Sequence, residues 1–329
     1  MSNHYTKLAR EICEEFKQTP TRTLARMLVE RSKDYGEIDF NKAYDRIRYQ
    51  RGNCKQGKEN NKNIVKHEKG IKKMPMPKPK KEMEGWEVKK LRARKILVLS
   101  DIHVPYHDET ALGLALDAGV EAGCDAVLLN GDFMDFFSVS RYASDPTQRN
   151  LKEELAMGKE MLAYIRERFA GAQILWKLGN HEERWDHWLW NKAPEVYGLE
   201  AFSVEALMEV KKHNIRVIRD MMPIGVNSLM ILHGHEYKFA ISNPVNPARG
   251  LYMRAKVSAM MGHLHQTSEH SEADLNGKVV TTWSLGCLCQ LRPRYAPLNK
   301  WNHGFAIVDT TGDDDFTVHN QRIYRGRIL

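Results

Sequence analysis

KILVLSDIH, residues 95–103, runs four apolar side chains together and then ends on Asp101 and His103. A continuous apolar run is what a strand buried on both faces requires, and sheets covered by helices are built from such strands. Four further stretches repeat the design: DAVLLNGDFMD (125–135), AQILWKLGNHE (172–182), SLMILHGHE (228–236) and SAMMGHLH (258–265). Each is a short apolar run closed by Asp, Asn or His. Amphipathic helical candidates at residues 109–122 and 151–169 separate the first three, so strands and helices alternate as in an α/β layered core. Nearer the C-terminus, KVVTTWSLG (278–286), FAIVDTT (305–311) and FTVHNQRIY (316–324) read as more strands, the last two joined by a turn at Gly312–Asp314.

The polar closures carry the chemistry. They are Asp101 and His103, Asp132 and Asp135, Asn180 and His181, then His233, then His263 and His265. Any one alone reads as a capped turn. Five in series, each closing an apolar strand, read as one site, because strand ends are where such folds present functional groups. Imidazole and carboxylate suit divalent transition metals. Residues two apart on extended chain point the same way, so Asp101 with His103, and His263 with His265, can serve a shared centre. A carboxylate such as Asp132 can bridge two ions, and two ions about 3.5–4 Å apart can hold a phosphoryl group and generate hydroxide at neutral pH.

Asp-X-His, Gly-Asp-X-X-Asp, Gly-Asn-His-Glu, an isolated His and Gly-His-X-His, in that order over about residues 95–310, resemble the calcineurin-like metallophosphoesterase superfamily. The resemblance implies a four-layer α/β/β/α sandwich with a dinuclear metal site at the strand ends. It implies one ion on Asp101, His103, Asp132 and His265, and a second on the bridging Asp132 with Asn180, His233 and His263. Manganese is the first expectation for both ions, with iron, zinc and nickel equally compatible with N and O donors. The same resemblance makes His181 the general acid or phosphate-contacting group, with Asp135 orienting its ring. A carboxylate on one ring nitrogen favours the imidazolium that protonates a leaving alkoxide.

Several neighbours read more plainly. Arg184 can reach phosphate oxygens, but a surface helix position is the simpler reading. His235 flanks His233, and His303 suits a capped loop. Trp176, Trp185, Trp188 and Trp190 read first as packing and second as a stacking platform for bases. Cys287 and Cys289 form a C-X-C with no second pair, which argues against a zinc site there. Five cysteines, odd in number and scattered, argue against a disulfide framework.

Charge divides the chain. Residues 1–95 hold 26 basic and 13 acidic side chains, while residues 96–329 hold 24 and 29, so the formal +8 averages a basic arm and a mildly acidic body. The spacing predicts three short helices in the arm: residues 4–17, a second capped by Thr21 or Thr23, and a third capped by Asp39 with Phe40, Tyr44 and Ile47 on one face and Arg46, Arg48 and Arg51 elsewhere. They resemble a helix-turn-helix module, or equally a small bundle with a solvated basic face. The expected organisation is a helical module at 1–51, a basic Lys/Pro-rich linker at 52–94 extended around Pro75, Pro77 and Pro79, and the phosphoesterase domain at 95–329. The charged start is unlike a secretory signal, and no run of about 18 apolar residues exists, so a cytoplasmic protein without a membrane span is expected.

The expected activity is metal-dependent phosphoester hydrolysis by a bridging hydroxide, most simply as a phosphodiesterase or nuclease whose residues 1–95 hold nucleic acid. The protein-phosphatase branch of the superfamily carries Arg-Gly after the second Asp of its motif, and here Phe136 and Phe137 follow Asp135. The alternatives are a phosphomonoesterase with the arm as an assembly tether, or a non-catalytic DNA-binding protein.

Overall fold

A computed structural model describes residues 2–36, 38–52, 76–80, 86–142, 145–237, 245–310 and 315–329. The chain divides into two compact units, Met1–Glu82 and Met83–Leu329. Most of the 52–94 linker and the turn at Gly312–Asp314 lie outside the described residues.

In the first unit, helices α1 (Ser2–Glu15), α2 (Thr21–Arg31) and α3 (Phe40–Gln50) close on Ile12, Leu24, Leu28, Ala43 and Ile47. Asp39 caps α3 as expected, accepting from the amides of Asn41 and Lys42. Neither threonine caps α2: its N-cap is Pro20, with no side-chain bond. Thr21 Oγ1 instead accepts from Arg51 Nη1 at 3.1 Å. Phe40 is exposed rather than buried with Ile47, and it stacks on Tyr44. Two of these arginines serve the bundle itself, since Arg46 on α3 donates to Thr6 Oγ1 and Arg51, which caps its C-terminus, donates to Lys17 O.

The second unit is a sandwich of two sheets. Its larger sheet contains β2 (Lys95–Leu99), β3 (Ala126–Asn130), β4 (Gln173–Lys177) and β5 (Ile215–Ile218), paired parallel in that order. Beyond β2 it continues antiparallel through β11 (His303–Asp309), β12 (Thr317–Tyr324) and β13 (Arg327–Ile328). The smaller sheet contains β1 (Lys89–Lys90), β6 (Ile224–Val226), β7 (Leu229–Leu232), β8 (Ala259–Met261), β10 (Val279–Ser284) and β9 (Ser268–Ala273), in that spatial order. Within the stretch read as linker, Lys89 and Lys90 pair with Ile224 and Gly225 and so form an edge of this sheet.

Alternation along each strand builds the layers. Leu97, Leu99, Val127, Leu129 and Trp176 face α4 (Glu109–Glu121), α5 (Leu151–Arg168) and α6 (Glu183–Lys192). Ile96, Val98, Leu128 and Leu175 face the other sheet and meet Val226, Ile231, Met260 and Trp283. On the far side, Met261 and Ala259 pack on Leu251, carried by the helix Pro247–Ala255. This is the four-layer α/β/β/α order. No helix among the described residues is long and apolar enough to cross a membrane.

Candidate metal centre

The loops leaving β2, β3, β4, β7 and β8 converge at one edge of the two sheets. Their backbone is unusual. Asp101, His103, Asp132, His263 and His265 all adopt positive φ, between 51° and 67°. For non-glycine residues this region costs on the order of 1–2 kcal/mol each, and such strain gathers at functional sites. Close approach also requires glycine here: a Cβ on Gly262 would stand 1.8 Å from Ser100 Oγ and 2.6 Å from Asp101 Oδ2.

The seven residues read as ligands gather around Asp132. His233 Nε2 lies 3.2 Å from Asp132 Oδ2 and 3.3 Å from Asn180 Oδ1. Asp132, His233 and His263 bring donor atoms within 4.8 Å of one another. On the other side, His103 Nε2 is 3.3 Å from His265 Nε2 and 3.9 Å from Asp132 Oδ2. His265 Nε2 is 3.1 Å from Asp101 Oδ1.

The donor chemistry fits divalent cations. His103 Nδ1 is 3.1 Å from Asp135 Oδ2, and His233 Nδ1 is 2.8 Å from Asn130 O. Each ring thus spends its Nδ1–H on an outer acceptor and turns Nε2 inward, which is how metal-binding imidazoles are held. The inward nitrogens of His103 and His265 face each other 3.3 Å apart, a spacing at which one cation can take both.

Electrostatics follow from burial and proximity. Burial opposes charge on Asp101 and Asp132, yet the adjacent rings, His265 for the first and His233 for the second, hold both carboxyls well below the usual carboxylate range. Asp135 is held low in the same way by His103 and His181. Burial also opposes the His233 imidazolium, but Asp132 and Asp101 carry that ring up to about 10. Burial and the neighbouring His233 push His263 down to about 4.

His181 and Asp135 meet differently from the reading above. His181 Nδ1 bonds the backbone oxygen of Asp135 at 3.0 Å, while its distance to the Asp135 carboxylate is 3.4 Å. The carboxylate's nearer ring is His103. Arg184, read as a surface position, sits inside the site: Nη1 donates to Asp135 O and Oδ1 at 3.0 and 3.1 Å, and Nη2 lies 2.9 Å from His181 Nε2.

Four further residues, none of them read from the sequence as part of the site, stand at it. Glu182 is fully buried and accepts from the amides of Gly179, Asp132 and Met134, tying two of the ligand loops together. Burial, then Asp132, push its carboxyl up to about 7. Its place next to His181 in Gly-Asn-His-Glu was the available signal. Lys177 is buried with Glu236 at 2.8 Å, and Glu236 accepts from the amides of His233 and Gly234. Cys289 brings Sγ within 4.8 Å of the His103 and His265 nitrogens, a placement that no motif announces. His235 turns away to Glu183 at 3.1 Å, and His303 Nε2 bonds Cys289 O at 2.9 Å. Among the tryptophans, Trp176 packs on Phe133 and Trp185 stacks between Trp188 and Phe136, while Trp190 is half exposed against Tyr197.

A family model described as calcineurin-like phosphoesterase matches residues 94–274. The Gene 54 protein of Mycobacterium phage L5 is 24% identical over 237 residues, spanning 67% of this chain and 90% of that protein. Among solved structures, Vacuolar Protein Sorting 29 from Cryptosporidium parvum aligns with a TM-score of 0.39 at 14% identity, over 72% of this chain and 95% of that one. Yfce, a phosphoesterase from E. coli, aligns with a TM-score of 0.33 at 13% identity, over 65% of this chain and 88% of that one.

Proposed function

Because this chain belongs to the calcineurin-like phosphoesterase family, and is therefore a phosphoester hydrolase using divalent metal ions, we propose that its substrates are phosphodiesters of nucleic acids or nucleotides. The observation that carries the site assignment is that Asp132 stands in two donor groups, one with His103 and His181 and one with His233 and His263. Asp101, His103, Asp132 and His265 would hold one ion, and Asp132, Asn180, His233 and His263 a second, with manganese the first candidate. When bound, such ions supply Lewis acidity toward phosphoryl oxygens and lower the pKa of water.

The chain's own groups do the rest. Arg184 presents a guanidinium, fixed by Asp135, for non-bridging phosphate oxygens. His181, anchored through Nδ1, keeps Nε2 toward the cluster, 3.8 Å from Asp132 Oδ2, where a proton can pass to the leaving oxygen. Asp135 and Asn130 hold the rings of His103 and His233 from behind.

Charge supports the choice of substrate. The acidic body meets a polyanion favourably only at its cations, and residues 1–95, with 26 basic side chains, would keep nucleic acid close. Phe136 and Phe137 in place of Arg-Gly disfavour phosphoprotein hydrolysis. Hydrolysis of bis-p-nitrophenyl phosphate and p-nitrophenyl phosphate in manganese tests the ester class, and a strong monoester preference rejects the diesterase reading. Single-stranded DNA, duplex DNA and RNA should then be offered to the full chain and to a truncation beginning at Met83, which keeps β1. Weaker nucleic-acid binding with retained diesterase activity supports the tether. Hydrolysis unchanged in His181→Ala and Asp132→Asn would move the active centre elsewhere.

A further inference from the structure

Beside the donor cluster a cavity of about 280 Å³ opens off His103 and Asp135. One wall is Tyr106 and Phe137, from the turns that follow β2 and β3, with ring centroids 5.9 Å apart at 78°. The other is Tyr295 and Trp301, 6.3 Å apart at 64°. Trp301 also meets the ring of His265 at 4.1 Å, so the aromatic wall begins where the donor nitrogens end.

The second wall belongs to a loop, residues 290–301, that lies beyond the residues matched by the family model. The loop is braced from within. Asn299 Nδ2 donates to Leu291 O and Ala296 O at 2.6 and 2.8 Å, and Asn299 Oδ1 accepts from the Trp301 amide at 2.9 Å. Gln290 opens the loop with its backbone amide bonded to Tyr106 O, while its exposed side-chain amide makes no hydrogen bond among the described residues. Arg294 lines the same cavity, largely exposed, with Nη1 4.0 Å from Asp145 Oδ2.

We propose that this cavity seats one unpaired nucleobase of the substrate while its phosphate lies on the donor cluster. Four aromatic side chains offer stacking faces, which bind any base through its π-face. Gln290 offers a donor and an acceptor together, the pattern that pairs with a base edge. Arg294 carries the charge for a neighbouring phosphate. The volume lies just under the range of small-molecule pockets, enough for one ring system and too little for a base pair. A base seated there must leave its stack, so single strands and frayed ends are taken in preference to intact duplex. This inference rests on the nucleotide reading above and narrows it to a nucleoside-bearing ester.

The test uses the full chain in manganese and compares adenosine 5′-monophosphate with ribose 5-phosphate, which lacks only the base, by tryptophan fluorescence and calorimetry. The nucleotide is expected to bind about tenfold more tightly or better. Tyr295→Leu and Gln290→Leu should each lower that ratio, and both lie at exposed loop positions where folding is not at stake. Equal affinity for the two ligands, or a ratio that survives both substitutions, overturns the pocket. The ester class is read separately with the nitrophenyl substrates. Diester cleavage without a base preference removes the pocket and leaves the diesterase reading standing; monoester hydrolysis with the preference intact does the reverse.

Discussion

Arg184 Nη2 lies 2.9 Å from Nε2 of His181, and the same guanidinium holds the carboxylate of Asp135 at 3.1 Å. A guanidinium can only donate, so His181 accepts at Nε2 and carries its proton on Nδ1, where Asp135 O receives it. Arg184 and His181 are therefore one unit, and a phosphate that takes the guanidinium's hydrogen bonds frees Nε2 to take up the proton that it then passes to the leaving oxygen.

Substitutions at the two positions should then fail to add. His181→Ala is expected to lower kcat by about 10²–10⁴, and Arg184→Ala by a similar order. The double variant should lose little more than the worse single variant. Full additivity, measured as kcat on a single phosphodiester in saturating manganese, would show that the two side chains act separately.

Metal binding should release protons. Without ions the His233 ring, carried up to about 10 by Asp132 and Asp101 against its burial, holds a proton at neutral pH, whereas His263, pushed down to about 4, does not. A cation and a proton compete for His233 Nε2, so metal affinity should rise with pH and level off near that higher value. Manganese titrations by calorimetry in buffers of different ionisation enthalpy should give different apparent heats. Identical heats in all buffers would contradict the charge state assigned to His233.

The layered core was legible because its strands are continuous apolar runs, and the seven candidate donors because each closes such a run. What escaped was of another kind. β9, Ser268–Ala273, is polar along its length because it edges the sheet and packs little. β1 is two lysines, whose strand character comes from pairing with Ile224 and Gly225 rather than from their side chains. Arg184 looked like a surface residue because one turn of helix past His181 has no periodic signature of burial. Lys177, inside an apolar strand, has its meaning only through Glu236, 59 residues later in the chain.

That pair gives a stability prediction. Burial opposes charge on Glu236, but Lys177 brings its carboxyl down to about 2. A lowered carboxylate stabilises the fold above its unfolded value near 4.3 and loses that contribution as pH falls toward the folded value. Lys177→Met leaves Glu236 buried without its cation and should cost about 3–5 kcal/mol, lowering Tm by roughly 6–12 °C at pH 7. The difference from the unsubstituted chain should begin to narrow above about pH 4, as the unpaired carboxyl of the variant takes up its proton, and go on narrowing toward about pH 2 as the paired one does. Adding Glu236→Gln should recover part of the loss, since an amide oxygen can still accept from the His233 or Gly234 amide. A constant difference down to pH 2, by thermal melts, would mean that the pair is not what holds this loop.

Gly179→Ala offers a test of the centre that changes no donor. Gly179 has an ordinary φ, so alanine meets no backbone penalty there, yet its Cβ would stand 2.3 Å from Asp132 Oδ1, 2.6 Å from the Asp132 amide nitrogen and 3.0 Å from His233 Nε2. Two of these atoms belong to the loop that must present the shared carboxylate: the amide nitrogen cannot retreat without breaking its bond to Glu182 Oε2, nor Oδ1 without losing its bond from the His181 amide. The methyl group should therefore displace Asp132 and lower the affinity for manganese by at least tenfold, with a matching loss of hydrolysis. Secondary structure should persist, because the strands on either side are buried through other residues. Metal content measured after gel filtration, beside circular dichroism, separates a displaced centre from an unfolded chain. Full metal loading in a folded Gly179→Ala protein would mean that Asp132 is not the carboxylate shared by the two donor groups.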